Sequence, residues 1–507
     1  MRATTSRSSF LLIFLGWALL FTPILLVRQD LRSFGLVVAS AALLWPLTVR
    51  RLLPWSVGML ALLGAANIIH VSHFGYLVDE FFISTALRTN VQETLEFSQS
   101  FSLRTTLKVL AWLLACGGLG YFLCQQVPEV YNRSRWPRRV SVLSLCVWVM
   151  YGVFGGIKHF GVQDYAHGLR YVYPMHVVRA LISQQAMASA TFYTPQIAPQ
   201  TLGAPLADTV VVVLGESASA QRWSLLGYTG AATNAPLQGI PHLQATTVLA
   251  HGVTTAEALP FLLTARSAHD SAEQRLPSYL DLARETGYKV FAFNNSRYNN
   301  RREDFYAQVL RRSAHVYQQA GDGNYDEVLT HHLEAALHDP APRKLIVLHT
   351  YGSHPSLTER VPPAQAPLPD PYDNTIHYTS ELLAKWIGLI DTLSPSTALL
   401  LYSSDHGLVL PPCPAAIGAG SSRSSVQVPL LVWSNQRLQA TMSVLAANIT
   451  EVTRQAMQFS NAELSRLAAR AVGAKPVEQP ALAVDGTSWS SLEKLDACSQ
   501  EYAKDVL

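Results

Sequence analysis

The pattern of apolar and polar positions divides this chain near residue 160. Before that point, five apolar stretches, near 9–27, 34–50, 54–74, 107–126 and 140–159, alternate with short polar segments. Most are long enough to cross a hydrocarbon core of about 30 Å. From residue 208 onward, short runs of Val, Leu and Ile alternate with amphipathic segments. Runs such as Val210-Val211-Val212-Val213-Leu214 and Leu399-Leu400-Leu401 show no polar alternation. They predict strands covered on both faces. The pattern predicts strands at 209–214, 289–293, 344–350, 397–403 and 428–433, and helices at 276–286, 325–337, 373–393 and 441–458. Such alternation predicts an α/β sandwich with a mainly parallel sheet. Residues 160–207 read as a bridge along a membrane surface, and 408–425, with Pro, Gly, Ser and one Cys, as a loop.

Length and charge sharpen this division. The 507 residues exceed a usual single domain. The expected organisation is a five-span membrane domain at 1–159, a bridging segment at 160–207 and a soluble catalytic domain at 208–507. Charged residues make up only 14%, low for a soluble enzyme. A net charge of +3, scattered along the chain, gives no nucleic-acid footprint. Arg2, Arg7, Arg50, Arg51, Arg133, Arg135, Arg138 and Arg139 fall at the N-terminus and in alternate loops. The positive-inside rule then places the N-terminus in the cytoplasm and everything after about residue 160 outside. The first stretch has a signal-peptide reading, but four more follow it, which favours an anchor. The loop at 75–106 then lies on the outer side. Within it, Asn90 to Phe97 reads either as a short interfacial amphipathic helix or as a solvated helix face. Cys116, Cys124 and Cys146 lie in or beside apolar stretches, which leaves Cys413 and Cys498 to form at most one disulfide in the exported part.

The candidate chemistry sits at strand ends. Ligands of parallel α/β sheets bind beyond the carboxyl ends of the strands. Glu216 follows Gly215 there, and Asp405-His406-Gly407 follows a second buried run. Carboxylates with an imidazole suit Zn²⁺ or a similar divalent ion. Glu216 read alone equally suits a helix N-terminus, and Asp405-His406 a hydrogen-bonded turn. The segment His251 to Pro260 offers a threonine hydroxyl at a helix start, where a positive field and a metal favour the alkoxide. The plain alternative is a threonine N-cap. Ser217 and Thr254 are rival nucleophiles on the residues alone. His349 and His354 near one strand end can hold a phosphate or assist a leaving group.

Taken in order, these pieces resemble the bacterial inner-membrane phosphoethanolamine transferases of the alkaline phosphatase and sulfatase superfamily. The resemblance rests on Gly215-Glu216-Ser217, Ser224-Leu225-Leu226-Gly227-Tyr228, Thr255 through Pro260, and Gly352-Ser353-His354. It extends to Tyr372-Asp373-Asn374, Ser404 to Gly407 and Val428-Pro429-Leu430, all behind five apolar spans. It implies an alkaline-phosphatase-like soluble domain on the periplasmic face. It implies one Zn²⁺ bound by Glu216, Thr255, Asp405 and His406. Thr255 becomes the nucleophile that carries phosphoethanolamine, and His354 contacts the transferred phosphate. Asn90 and Glu93 resemble residues near the donor lipid headgroup. The implied donor is phosphatidylethanolamine and the implied acceptor a cell-envelope glycolipid. The Asp339-to-Leu345 run and the Gly-Glu-Ser form lie nearer the lipopolysaccharide-core branch than the lipid A branch.

The chain also departs from the family. Leu408 stands where members usually have Glu, and residues 408–427 contain no His. The position of the missing imidazole falls to Ala419, Ser424 or a neighbour. This bears on a second phosphate contact and on any second metal. Two other readings stay open: a phosphoglycerol transferase or sulfatase-like hydrolase, and a non-catalytic membrane regulator with the same fold. The sulfatase nucleophile motif is absent, since Cys413-Pro414 does not fit it.

Overall fold

The computed structural model describes residues 2–26, 29, 31–74, 77–78, 82–83, 86, 94, 98, 101–133, 135–158, 173–178, 181, 203–264, 277–296, 305–321, 325–411, 422–439 and 460–474. Asn90, Glu93, Cys413, Ala419, Cys498 and the helix predicted at 441–458 lie outside these residues. The chain divides into two compact units, one holding Met1–Leu87 and Phe101–Ser189, the other Ala190–Ser499.

The first unit is helical. Its long helices are α1 (Arg2–Leu19), α2 (Leu31–Leu43), α3 (Leu53–Phe74), α4 (Leu103–Arg133) and α5 (Trp136–Lys158). Among the described residues, Leu53–His73 and Leu103–Asn132 are long and apolar enough to cross a membrane. The first two apolar stretches, the second of them already broken by Pro46 in the sequence, are shorter apolar helices, Ser9–Leu19 and Leu31–Leu43. Each gives way to a 3₁₀ turn that contains a proline, Pro23 in one and Pro46 in the other. Proline has no N–H to continue the ladder, so the helix stops. Indole N–H groups tie the bundle together. Trp17 Nε1 donates to Ala41 O at 3.0 Å, and Trp148 Nε1 donates to Leu43 O at 3.0 Å.

The second unit is built on a seven-stranded sheet. Its strands are β1 (Thr209–Gly215), β2 (Leu243–Leu249), β3 (Lys289–Asn294), β4 (Val316–Gln319), β5 (Lys344–His349), β6 (Ala398–Ser404) and β7 (Gln427–Ser434), in the order β2-β7-β6-β1-β5-β3-β4. β7 pairs antiparallel with both its neighbours, and the other pairings are parallel. The continuous apolar runs have the burial they predict: every residue of β1, β5 and β6 is buried. Alternate residues feed two cores. Val210, Val212 and Leu214 face a cluster that contains Leu259 and Leu262 of α6 (Thr255–Thr264), Tyr279 and Leu280 of α7 (Tyr279–Glu285), and Leu464 and Leu467 of α11 (Glu463–Ala471). Val211 and Val213 face a cluster with Leu329 and Leu333 of α9 (Val328–Leu337) and Tyr372, Ile376 and Leu383 of α10 (Pro371–Leu393). One more helix, α8 (Phe305–Ser313), precedes β4. Helices on both faces of a mainly parallel sheet make the expected α/β sandwich.

Candidate metal and catalytic site

Strand register brings the acidic residues together. β1 and β6 are parallel neighbours with Gly215 opposite Ser404. Glu216 and Asp405 are therefore the next residues at one sheet edge, the edge where such folds bind ligands. β2 ends at the same edge, since Leu249 pairs with Gln427 at the start of β7 and Ala250 N donates to Val426 O at 2.7 Å. From there the chain runs through Gly252 into α6, whose first residue is Thr255. Gly252 is required: a Cβ there would lie 2.2 Å from Glu257 Cβ.

Glu216, Asp405 and His406 are buried, and one donor atom from each lies within 4.8 Å of the others. His406 Nε2 lies 3.5 Å from Glu216 Oε1 and 3.4 Å from Asp405 Oδ2. Thr255 Oγ1 donates to Glu216 Oε2 at 3.0 Å and lies 3.5 Å from His406 Nε2. His406 Nδ1 lies 2.8 Å from Gly407 O. A carbonyl can only accept, so Nδ1 carries a proton, and Nε2 is the ring atom turned toward the acids. Asp405 Oδ1 accepts from Ser217 N at 3.0 Å and from His406 N at 2.6 Å. Its Oδ2 is buried with no hydrogen-bond partner.

These atoms suit a metal. Ligands about 2.0–2.1 Å from a tetrahedral zinc stand about 3.3 Å from one another, close to the 3.4 and 3.5 Å separations at His406 Nε2. Burial and the neighbouring Asp405 push the Glu216 carboxyl well above the usual carboxylate range. Two adjacent buried carboxylates repel, and a cation between them relieves both the desolvation and the repulsion.

The rival hydroxyls are placed differently. Ser217 Oγ donates to Glu216 Oε1 at 2.6 Å. Thr254 precedes α6, and its carbonyl accepts from Glu257 N and Ala258 N. Its Oγ1 is buried without a hydrogen-bond partner. Among these three hydroxyls, Thr255 is the one whose distances to both Glu216 and His406 match a shared centre.

Of the two predicted histidines at the end of β5, His349 is the last residue of the strand and stays in the core. It is fully buried, and its Nδ1 lies 2.7 Å from Asn294 Oδ1. Burial holds its imidazole down at about 4. His354 stacks on Tyr351 at 4.6 Å, and burial with the nearby Arg360 charge pushes it down to about 3. Its imidazole is therefore neutral at pH 7, able to donate one hydrogen bond but carrying no charge.

Sequence reading missed the residues that hold this edge in place. Asp326 accepts from Asn295 Nδ2 at 2.8 Å, Tyr351 N at 2.7 Å and Gly352 N at 2.8 Å. Asn461 Nδ2 donates to Asp405 O at 3.0 Å and Ser404 O at 3.3 Å, while its own N donates to Leu249 O at 2.8 Å. It thereby joins the end of β6 to the end of β2. In the stretch without histidine, Leu408 is buried in the apolar cluster, and Ser424 Oγ accepts from Leu410 N at 3.2 Å.

Known proteins are similar to this chain in sequence and in fold. The Sulfatase family model matches residues 208–462, and the model for phosphoethanolamine transferase EptA/EptB matches residues 36–181. The putative transferase YhbX of Escherichia coli K12 is 28% identical over 251 residues, which cover 45% of this chain and 43% of YhbX. This chain thus spans less than half the length of that relative. Phosphoethanolamine transferase EptA of Helicobacter pylori is 24% identical over 431 residues, covering 78% of each chain. The integral membrane lipooligosaccharide phosphoethanolamine transferase A of Neisseria meningitidis superposes with a TM-score of 0.59 at 15% identity, covering 91% of this chain and 95% of that one, a likeness of fold. A sulfatase-type sheet with a Glu-Asp-His-Thr edge identifies this chain as a member of the Sulfatase family, and the helical unit that precedes it in sequence is similar to that of the phosphoethanolamine transferases EptA and EptB.

Proposed function

We propose that this chain is a zinc-dependent transferase that moves phosphoethanolamine from phosphatidylethanolamine to a hydroxyl or phosphate of a cell-envelope glycolipid. The observation that carries the proposal is the Thr255 hydroxyl, hydrogen-bonded to Glu216 and 3.5 Å from His406 Nε2 at the start of α6. Glu216, Thr255, Asp405 and His406 would hold the ion. Zinc supplies Lewis-acid chemistry there, lowering the pKa of the threonine hydroxyl and offsetting charge on phosphoryl oxygens. Glu216 Oε2 accepts the Thr255 proton, and Thr255 Oγ1 attacks phosphorus. The bond to diacylglycerol oxygen breaks, and that oxygen leaves with a proton. The group rests on Thr255 as a phosphodiester until an acceptor oxygen attacks phosphorus and Thr255 regains its proton. Neutral His354 donates a hydrogen bond to a phosphoryl oxygen without adding charge. Asn90 and Glu93 serve the donor headgroup in this reading.

The exposed apolar surface supports a membrane location. Among the described residues, every large hydrophobic side chain left exposed lies between residues 11 and 181, apart from Tyr325. Exposed apolar area of this extent is rare on soluble surfaces, and it supports burial of the helical unit in a bilayer. Both lipid substrates then stay in the inner membrane, with the catalytic unit on the periplasmic side.

Intact-protein mass spectrometry of enzyme incubated with the donor lipid tests the chemistry. Wild type gains one phosphoethanolamine, and Thr255→Ala gains none and transfers none. Ser217→Ala still gains it. An adduct on Thr255→Ala removes the nucleophile assignment. Wild type that binds zinc but never acquires the group favours the regulator reading, to which the missing histidine also points.

A further inference from the structure

The turn that follows Glu216 is held from the opposite side of the sheet. Ser217 adopts φ +58°, a left-handed conformation unusual for a residue other than glycine. In that conformation its N–H reaches Asp405 Oδ1 at 3.0 Å and its hydroxyl reaches Glu216 Oε1 at 2.6 Å. Something must hold the backbone there. The phenol of Tyr372, in the first turn of α10, donates to Ser217 O at 2.6 Å and accepts from Ser219 N at 2.7 Å. Its ring is fully buried. One hydroxyl thus closes both free ends of the turn.

The start of α10 is fixed in turn. The Asp370 carboxylate caps the helix, accepting from Tyr372 N at 2.8 Å and Asp373 N at 3.4 Å. Arg222, only five residues beyond Ser217, donates to Asp370 Oδ2 at 3.1 Å and Asp373 Oδ1 at 2.7 Å. The segment after Glu216 is therefore fastened to α10 twice, by Tyr372 near its beginning and by Arg222 at its end.

We propose that Tyr372 is a positioning residue for the metal site: by clamping the 217–219 turn, its hydroxyl holds Glu216 and the Ser217 contacts to both carboxylates in the geometry that binds the ion. The inference rests on the zinc reading above. Groups that orient metal ligands set affinity, and losing one weakens binding by about 10–100-fold.

Full-length protein in detergent, titrated with zinc against a competing chelator, tests this. Tyr372→Phe keeps the ring and removes one oxygen. The expected result is zinc binding weaker by about 10–100-fold, with transfer poor at limiting zinc and restored at excess zinc. Tyr378→Phe, on the same helix, is the control: the Tyr378 hydroxyl makes no hydrogen bond to the 217–219 turn, so its loss leaves zinc affinity unchanged. Asp373→Asn loosens the Arg222 grip and gives a smaller loss in the same direction, which keeps the test alive if Tyr372→Phe does not fold. Tyr372→Phe with wild-type zinc affinity overturns the proposal, as does transfer that stays low at saturating zinc. Wild type that binds no zinc instead removes the metal reading itself.

Discussion

A single backbone atom shows how tightly the site is specified. Gly352 has φ +48°, and a Cβ built there would sit 2.6 Å from Glu216 O and 3.1 Å from Glu216 N. The loop after β5 presses directly on the peptide of a candidate ligand, and Ser353 N donates to Glu216 O at 2.9 Å. Only glycine meets both the conformation and the contact. Gly352→Ala must either move the loop or move Glu216. The strain is of the order of 1–3 kcal/mol, and the contact passes it to the peptide of Glu216. Chemical denaturation should show a loss of about that size, accompanied by weaker zinc binding. A variant that loses stability but binds zinc as tightly as wild type would mean that the loop moved and Glu216 did not.

The same loop shows how whole elements cooperate. Asp326, just before α9, takes hydrogen bonds from the N–H groups of Tyr351 and Gly352, and so fixes the segment that leads to His354. Asp326→Ala leaves those two donors and the Asn295 amide without an acceptor in a buried place. Each unsatisfied group costs about 1–3 kcal/mol, so the thermal midpoint should fall sharply. Headgroup transfer should fall further than in Asp326→Asn, which keeps one acceptor oxygen. Equal activity in the two variants would mean that the loop keeps its place by other contacts. Sequence patterning revealed five of the seven strands because their apolar runs are continuous. It missed β2, whose Leu-Gln-Ala-Thr-Thr-Val-Leu keeps several half-buried residues, and the edge strand β4, half of which is Gln. It missed α11 because Glu463 and Arg466 give that helix a polar look, although they are buried and paired at 2.6 Å. The residues gathered at the candidate metal edge were legible because strand ends and motif chemistry mark them. Tyr372 was legible only as part of the Tyr-Asp-Asn motif; its contacts to 217–219, like those of Asp326 and Asn461, join distant segments through backbone atoms and leave no spacing in the sequence.

At the scale of the whole molecule, the proposed reaction requires a particular sidedness. The donor and acceptor lipids are proposed to stay in the bilayer, so the catalytic edge must work at the face where the glycolipid is displayed. The five long helices described in the first unit, an odd number, carry the chain from one side to the other if each crosses once. The arginines at 2, 7, 50, 51, 133, 135, 138 and 139 favour a cytoplasmic N-terminus. The turns at Pro23 and Pro46 make the first two crossings the most open to challenge, since each apolar helix there is shorter than a full span of about 20 residues. If those two helices formed one re-entrant hairpin, three crossings would remain, and the catalytic unit would still lie opposite the N-terminus. If only one of them crossed, four would remain and the unit would return to the cytoplasmic side. Terminal fusions separate these cases. A fluorescent protein that matures only in the cytoplasm should be bright at the N-terminus and dark after Leu507. Brightness at both ends would mean an even number of crossings, and it would put the metal edge on the wrong side of the membrane for the proposed transfer.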